Sequence, residues 1–182
     1  YSIPSEFGLS CLKHVQPFVR TPKGLSMSNN KVRSYFESHG LGDRVMTFDE
    51  SSATVELAAK AVGCKPQQIV KTLTFLVKDR PIMVVCAGNV RVDNPKFKDY
   101  FGQRGKMIAP DLVLGYTGHE VGGVCPFVVK EEVFVYLDQS LKESEILYLG
   151  AGDAHSLVKL SRGEVETHAR PKAWVDVCKP MA

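Results

Sequence analysis

The stretch "QIVKTLTFLVKDRPIMVVCAG", residues 68–88, constrains the fold of this chain most strongly. Two runs rich in Val, Ile, Leu, Thr and Phe flank "KDRP", and that arrangement predicts a hairpin of two central strands. Along the first run, the two-residue period of a strand sets Ile69, Lys71, Leu73, Phe75 and Val77 on one face. An ammonium group among four large apolar side chains is costly unless it reaches water, an anion or a cavity. Lys71 therefore either snorkels to solvent from the start of the strand or lines a pocket for an anionic or carbonyl-bearing ligand.

Helices and further strands surround the hairpin. A first helix is predicted from Ser28, with Ser28 to Asn30 as cap candidates, Val32, Tyr35 and Phe36 at helical spacing and Gly40 past its end. "RVMTFDESSA" predicts a short strand and a polar turn. Thr54 caps a second helix whose Val55, Ala58, Ala59 and Val62 share a face and whose end is Gly63; a buried face this rich in alanine requires a close neighbour. Downstream, Asp93 or Asn94 caps a helix with Pro95 in its first turn, "KMIA" gives a short strand and "PDLVLGY" a short helix capped by Asp111. Strands follow in "PFVV", "VFVYLD", "ILYLGAG" and "SLVKLS". A last helix begins at Ser161, with Glu164 completing a capping box. Without a regular βαβ alternation, the expected class is α/β (α+β), a mixed, curved to barrel-like β-sheet surrounded by helices.

At 182 residues and 44% hydrophobic content the chain suits one well-filled core. Residues 1–26 show no sustained periodicity and carry one acid, Glu6, so they are read as a leader or extension, and residues 27–182 as a single domain. No apolar run approaches the roughly 20 residues that span a bilayer, which argues against a membrane partner. A net charge of +3 permits a nucleic-acid partner without requiring one. The five cysteines, Cys11, Cys64, Cys86, Cys125 and Cys178, form no C-x-x-C pair and no zinc spacing. Such dispersal fits reduced thiols and a cytoplasmic location, with organelle import through the leader as the other course. Cys64 and Cys86 sit in or beside apolar stretches and read as core fillers.

"GYTGHEVGGVCPF", residues 115–127, holds four glycines and a proline between apolar stretches. It is neither a dinucleotide fingerprint, lacking the G-x-G-x-x-G spacing and its strand-to-helix setting, nor a Walker loop. Two readings remain, a set of turns or a loop whose main-chain N–H groups approach an oxyanion or carbonyl.

These segments carry a resemblance. "ATVELAAKAVGCKPQQIVKTLTFLV", "VCAGNVRVD", "GYTGHEVGGVCPF", "VYLDQSL" and "YLGAGDAHSLVKLS" occur in the order and spacing of the YbaK/prolyl-tRNA synthetase-associated domain family of aminoacyl-tRNA deacylases, over residues 30–178 or so. The resemblance implies hydrolysis of the ester joining a mischarged amino acid to the terminal adenosine of a tRNA. It implies catalytic roles for Lys71, Gly122 and Gly123. Thr72, Gly118, Val124, Pro126, Gly152 and His155 would contact substrate, although His155 on its residues alone reads sooner as a plain surface histidine. No metal or organic cofactor is implied. The partners implied are aminoacyl-tRNA and, secondarily, an aminoacyl-tRNA synthetase.

Because no synthetase catalytic body accompanies the domain, a freestanding enzyme acting in trans on a small amino acid, alanine by mild preference, is the expectation. No acid, histidine or cysteine in the matching motifs is an obvious general base. Two rivals stand beside this reading: a non-catalytic module that holds tRNA or a synthetase, and a thiol hydrolase of small esters built on Cys125 with His119 or His155. Asp138 reads as a structural acid at a strand end. "KFKDYFGQRGK" reads as a solvated helix edge over buried Phe97 and Phe101, or as a track for a tRNA backbone.

Overall fold

A computed structural model describes residues 27–181; the leader read at residues 1–26 lies outside the described residues. The elements in chain order are α1 (Met27–Ser38), β1 (Val45–Thr47), α2 (Val55–Val62), β2 (Val70–Val77), β3 (Arg80–Ala87), β4 (Val90–Val92), α3 (Asn94–Phe101), β5 (Lys106–Met107), α4 (Pro110–Thr117), β6 (Phe134–Asp138), β7 (Ile146–Gly150), β8 (Ser156–Ser161), α5 (Arg162–Ala169), β9 (Ala173–Val175) and β10 (Cys178–Pro180). No helix among them is long and apolar enough to cross a membrane.

The predicted hairpin is the centre of the molecule. β2 and β3 pair antiparallel from Val70 opposite Ala87 to Val77 opposite Arg80. Lys78 and Asp79 make the turn in left-handed conformation, φ 49° and 64°, as a two-residue hairpin loop demands, so Arg80 and Pro81 already belong to β3. The sheet runs β5-β2-β3-β6-β9, with β6 and β9 parallel to their neighbours. A second sheet, β1-β8-β7, and a two-stranded pair, β10-β4, complete the strands. The mixed α/β architecture is as expected, but the strands do not close a barrel: among the described residues one bridge, Ile69 to Tyr148, joins the two larger sheets.

Both faces of β3 are buried from Pro81 to Ala87, which explains its apolar run, whereas β2 is buried in part and carries Lys71, Thr72 and Thr74. One face, with Val70, Met83 and Val85, packs with Val32 and Phe36 of α1, Phe127, Leu149 and Leu160. The opposite face, with Phe75, Ile82, Val84 and Cys86, packs against Phe97 of α3, Val177 and Cys178. Ala58 and Ala59 of α2 lie against Ile69 and Leu157, the close approach their small side chains permit.

Local rules fix the helix ends. Thr54 Oγ1 accepts the Leu57 N–H and Gly63 ends α2 in left-handed conformation; Asp93 accepts the Lys96 N–H at the start of α3; Ser161 and Glu164 form the capping box of α5. Three expectations need correction. α1 begins at Met27, so Ser28 to Asn30 lie inside it, where fully buried Asn29 donates to the Ala151 carbonyl. The residue before α4 is Ala109, not Asp111, which sits in the first turn close to the positive end of the helix dipole. "PFVV" is no strand, because Val128 has φ 51° and breaks any ladder. Asp138 is structural, its two oxygens accepting the N–H groups of Ser140 and Val177, each at 2.9 Å. In "KFKDYFGQRGK", Phe97 is buried and Lys96 pairs with Asp176 at 2.9 Å, while Lys98, Arg104 and Lys106 are exposed.

Candidate active site

A cavity of about 420 Å³ opens where the two larger sheets part. Past the bridge at Ile69, β2 keeps only β3 as a neighbour until β5 joins at Phe75 and Leu76. The outward-facing carbonyls of this stretch are those of Thr74, which accepts the Ile108 N–H, and Leu76, which accepts from Gln103. In an antiparallel strand the N–H and C=O of one residue point the same way, and alternate residues share that direction. Thr72, two residues before Thr74, therefore directs an unpaired amide and carbonyl out of the sheet edge into the cavity that it lines.

Lys71 lines the same cavity, half-buried, and its Nζ donates to the Val90 carbonyl at the start of β4. The first residue of β4 thus supplies the polar partner that an ammonium on an apolar face requires. Neither reading of Lys71 is complete alone: its stem walls the pocket and its head is held by main chain.

The glycine stretch forms the opposite wall. Gly118 ends α4 in left-handed conformation, φ 83°. Gly122, φ 92°, lines the cavity together with Val124. Gly123 serves otherwise: its N–H donates to the Glu120 carbonyl at 3.1 Å, and a Cβ there would lie 2.2 Å from the Asp153 nitrogen and 2.3 Å from the Gly152 carbonyl carbon. The loop at 120–124 thus rests main chain to main chain on the loop between β7 and β8. Gly123 is a packing glycine whose amide is already engaged, while Gly122 and Thr72 line the cavity. Pro126 is buried, and Gly152 is buried with φ 97°, fixing the two loops from behind.

His155 is exposed, outside the cavity lining, and its main-chain N–H donates to Asp153 Oδ1 at 2.8 Å. Cys125 and His119 lie 3.7 Å apart, both fully buried and neither lining the cavity. Burial pushes the Cys125 thiol up to about 12. Burial also holds the His119 imidazole below its ordinary value, against the opposing bond of Nε2 to the Phe127 carbonyl and with the Lys31 charge adding to the lowering. A thiol of that kind supplies almost no thiolate at neutral pH and meets no substrate, which removes the thiol-hydrolase rival.

The motif reading passed over two polar side chains of the wall. Among the described residues, Asp153 and Lys71 are the only charged ones lining the cavity. Ser156 also lines it, fully buried, its Oγ without a hydrogen-bond partner. Both lie in "GAGDAHSL", where the sequence alone draws the eye to the histidine. Most of the remaining wall is apolar, with Val55, Val113, Val121 and Leu157 narrowing it.

Residues 49–167 match the family described as the aminoacyl-tRNA editing domain. The chain is 40% identical over 154 residues to YwhH of Bacillus subtilis (strain 168), an uncharacterized protein, covering 84% of this chain and 98% of that one. It is 29% identical over 126 residues to the proline–tRNA ligase of Lactiplantibacillus plantarum, covering 68% of this chain but 22% of the ligase. A crystal structure of a proposed trans-editing enzyme for prolyl tRNA synthetase superposes with a TM-score of 0.76 at 27% identity, covering 86% of this chain and 99% of that one. With a family match across most of its length and the same fold in a solved relative, this chain belongs to the aminoacyl-tRNA editing domain family.

Proposed function

We propose that this protein is an aminoacyl-tRNA deacylase that hydrolyses, in trans, the ester between a small amino acid and the terminal adenosine of a mischarged tRNA. The observation that carries the reading is the cavity against the open edge of β2, bounded by Lys71 and Thr72 on one side and Gly122 on the other. Its 420 Å³ suits a small ligand, and the valines on its walls favour a short side chain over a long one. The trans reading is supported by the near full-length match to YwhH, whereas the ligase is matched over about a fifth of its length.

Ester hydrolysis requires a positioned water and donors for the oxyanion that develops on the carbonyl. The Thr72 amide at the open strand edge and the main chain of Gly122 are the candidate donors, and Lys71 adds a positive charge to the cavity wall. Histidine and cysteine are absent from the lining, so activation of the water falls to a substrate hydroxyl or to the one carboxylate present.

The test is release of labelled amino acid from alanyl-, seryl-, cysteinyl- and correctly charged prolyl-tRNA by wild type and Lys71→Ala. Selective turnover by wild type, falling about a hundredfold in the variant, which corresponds to roughly 2.7 kcal/mol of transition-state stabilisation, is expected. No turnover of any substrate would overturn the reading and leave the binding module in its place.

A further inference from the structure

The cavity has one feature that hydrolysis of an ester does not by itself explain. Its two charged residues differ in sign, with Lys71 on β2 and Asp153 on the loop between β7 and β8. Ser156, at the start of β8, adds a fully buried hydroxyl that no protein group satisfies. Buried polar groups are nearly always hydrogen-bonded, so an unpartnered one in a cavity wall marks where a ligand supplies the missing contact. An aminoacyl nucleotide carries charge of both signs: phosphates at its nucleotide end and, because its carboxyl is esterified, an α-ammonium group as the only charge common to the amino-acid end.

We infer that Asp153 and Ser156 form the subsite that takes the α-ammonium group of the amino acid, a reading that rests on the deacylase function proposed above. An ammonium brings three donors. Asp153 is acceptor-only when ionised, and Ser156 Oγ has free lone pairs. The carboxylate is held for this task, since Oδ1 accepts the His155 N–H at 2.8 Å and leaves Oδ2 for a ligand. Its loop is gripped at several points: Ser52 N–H donates to the Ala154 carbonyl at 2.6 Å, Phe48 N–H to the His155 carbonyl at 2.8 Å, and Ala151 N–H to the Ser156 carbonyl at 3.1 Å. Gly123 locks it from the other side by main-chain contact. A fixed carboxylate and a fixed hydroxyl select a charged amine over a neutral group of the same size, because only the amine brings a positive charge to the carboxylate and a donor to each group at once. The subsite thus recognises what every amino acid shares and leaves discrimination among side chains to the apolar wall.

The experiment uses the full chain and two adenosine ligands joined through a 3′-amide that water does not cleave, one bearing an alanyl group and the other a lactyl group with hydroxyl in place of the amine. Affinities are measured calorimetrically for wild type, Asp153→Asn and Ser156→Ala, alongside turnover of alanyl-tRNA and lactyl-tRNA. Asparagine keeps the acceptor for the His155 N–H, so the loop retains its geometry while the charge is lost. Wild type is expected to prefer the alanyl ligand at least tenfold. Asp153→Asn should abolish most of that preference while binding the lactyl ligand within twofold of wild type, and Ser156→Ala should reduce the preference severalfold. Equal affinity of wild type for the two ligands would overturn the inference. So would an Asp153→Asn variant that loses lactyl-tRNA and alanyl-tRNA turnover alike, which would make Asp153 a general base. An amine preference that depends on Asp153 in a protein that hydrolyses no aminoacyl-tRNA would sink the deacylase reading and leave the ammonium subsite standing.

Discussion

Replacing Gly123 by alanine tests whether the two loops of the site are held together by main-chain contact. A Cβ at this position would meet three backbone atoms of Gly152 and Asp153 at 2.2, 2.3 and 2.4 Å. None can rotate away as a side chain would, so the loops must separate by roughly 1 Å, an overpacking strain of about 3 kcal/mol. For a chain of this size that corresponds to a melting temperature lower by about 6–12 °C. Differential scanning calorimetry of the variant measures it. Gly115→Ala is the matched control: it lies within α4 with nothing within 4 Å of the added carbon, and alanine's better helix propensity should leave stability unchanged or raised by up to about 1 kcal/mol. Deacylation by Gly123→Ala, measured well below its melting point, should fall more steeply than its stability, because the displaced loops carry Gly122, Asp153 and Ser156. A variant that melts with wild type and keeps full turnover would refute the contact and the argument built on it.

Three further outcomes are expected. Below about pH 6.5 an unfolded chain's imidazole takes up a proton that buried His119, held below that value, refuses; partly buried His168 is lowered too, by burial and by His39. The unfolded state then binds more protons, so stability should drop as pH falls from 7.5 to 5.5. Urea midpoints for wild type and His119→Gln check this, and equal pH slopes would contradict it. N-ethylmaleimide under native conditions should leave deacylation intact and Cys125 unlabelled by mass spectrometry; labelling of Cys125 in step with lost activity would restore the thiol enzyme. Thr54→Ala should cost about 1 kcal/mol by removing the cap of α2, read from the urea midpoint, with no change meaning that the Leu57 N–H finds another acceptor.

What the sequence made legible was local. Helix α2 is a case in point: its cap, its apolar spacing and its terminal glycine are rules of neighbouring residues, and its bounds came out as expected. The β2–β3 hairpin was legible because both strands are rich in β-branched and large apolar residues on either side of a short polar turn. β4 and β10 were not foreseen, since each is three residues long and exists only because the other pairs with it across about half of the chain. "PFVV" misled for the complementary reason: it is an irregular loop that sends Phe127 fully into the core while Val128 stays exposed. In the site, Lys71 stood out by breaking its face. The different duties of Gly122 and Gly123 were hidden, because they depend on a loop some 30 residues away. Asp153 and Ser156 were hidden as well, ordinary residue types until burial and the cavity single them out.

The open edge of β2 carries a consequence for how the protein survives in a crowded solution. An unpaired strand edge is a template on which other chains can add strands and aggregate. Here the bare edge sits at the bottom of a recess, with α4 and residues 52–55 contributing to its walls. A neighbour's strand must lie flat along several residues to pair, and the walls deny it that approach. Under the proposed function, a slender, single-stranded end with one amino acid attached meets no such obstacle, and the recess that would open the edge to that substrate also shields it from other proteins.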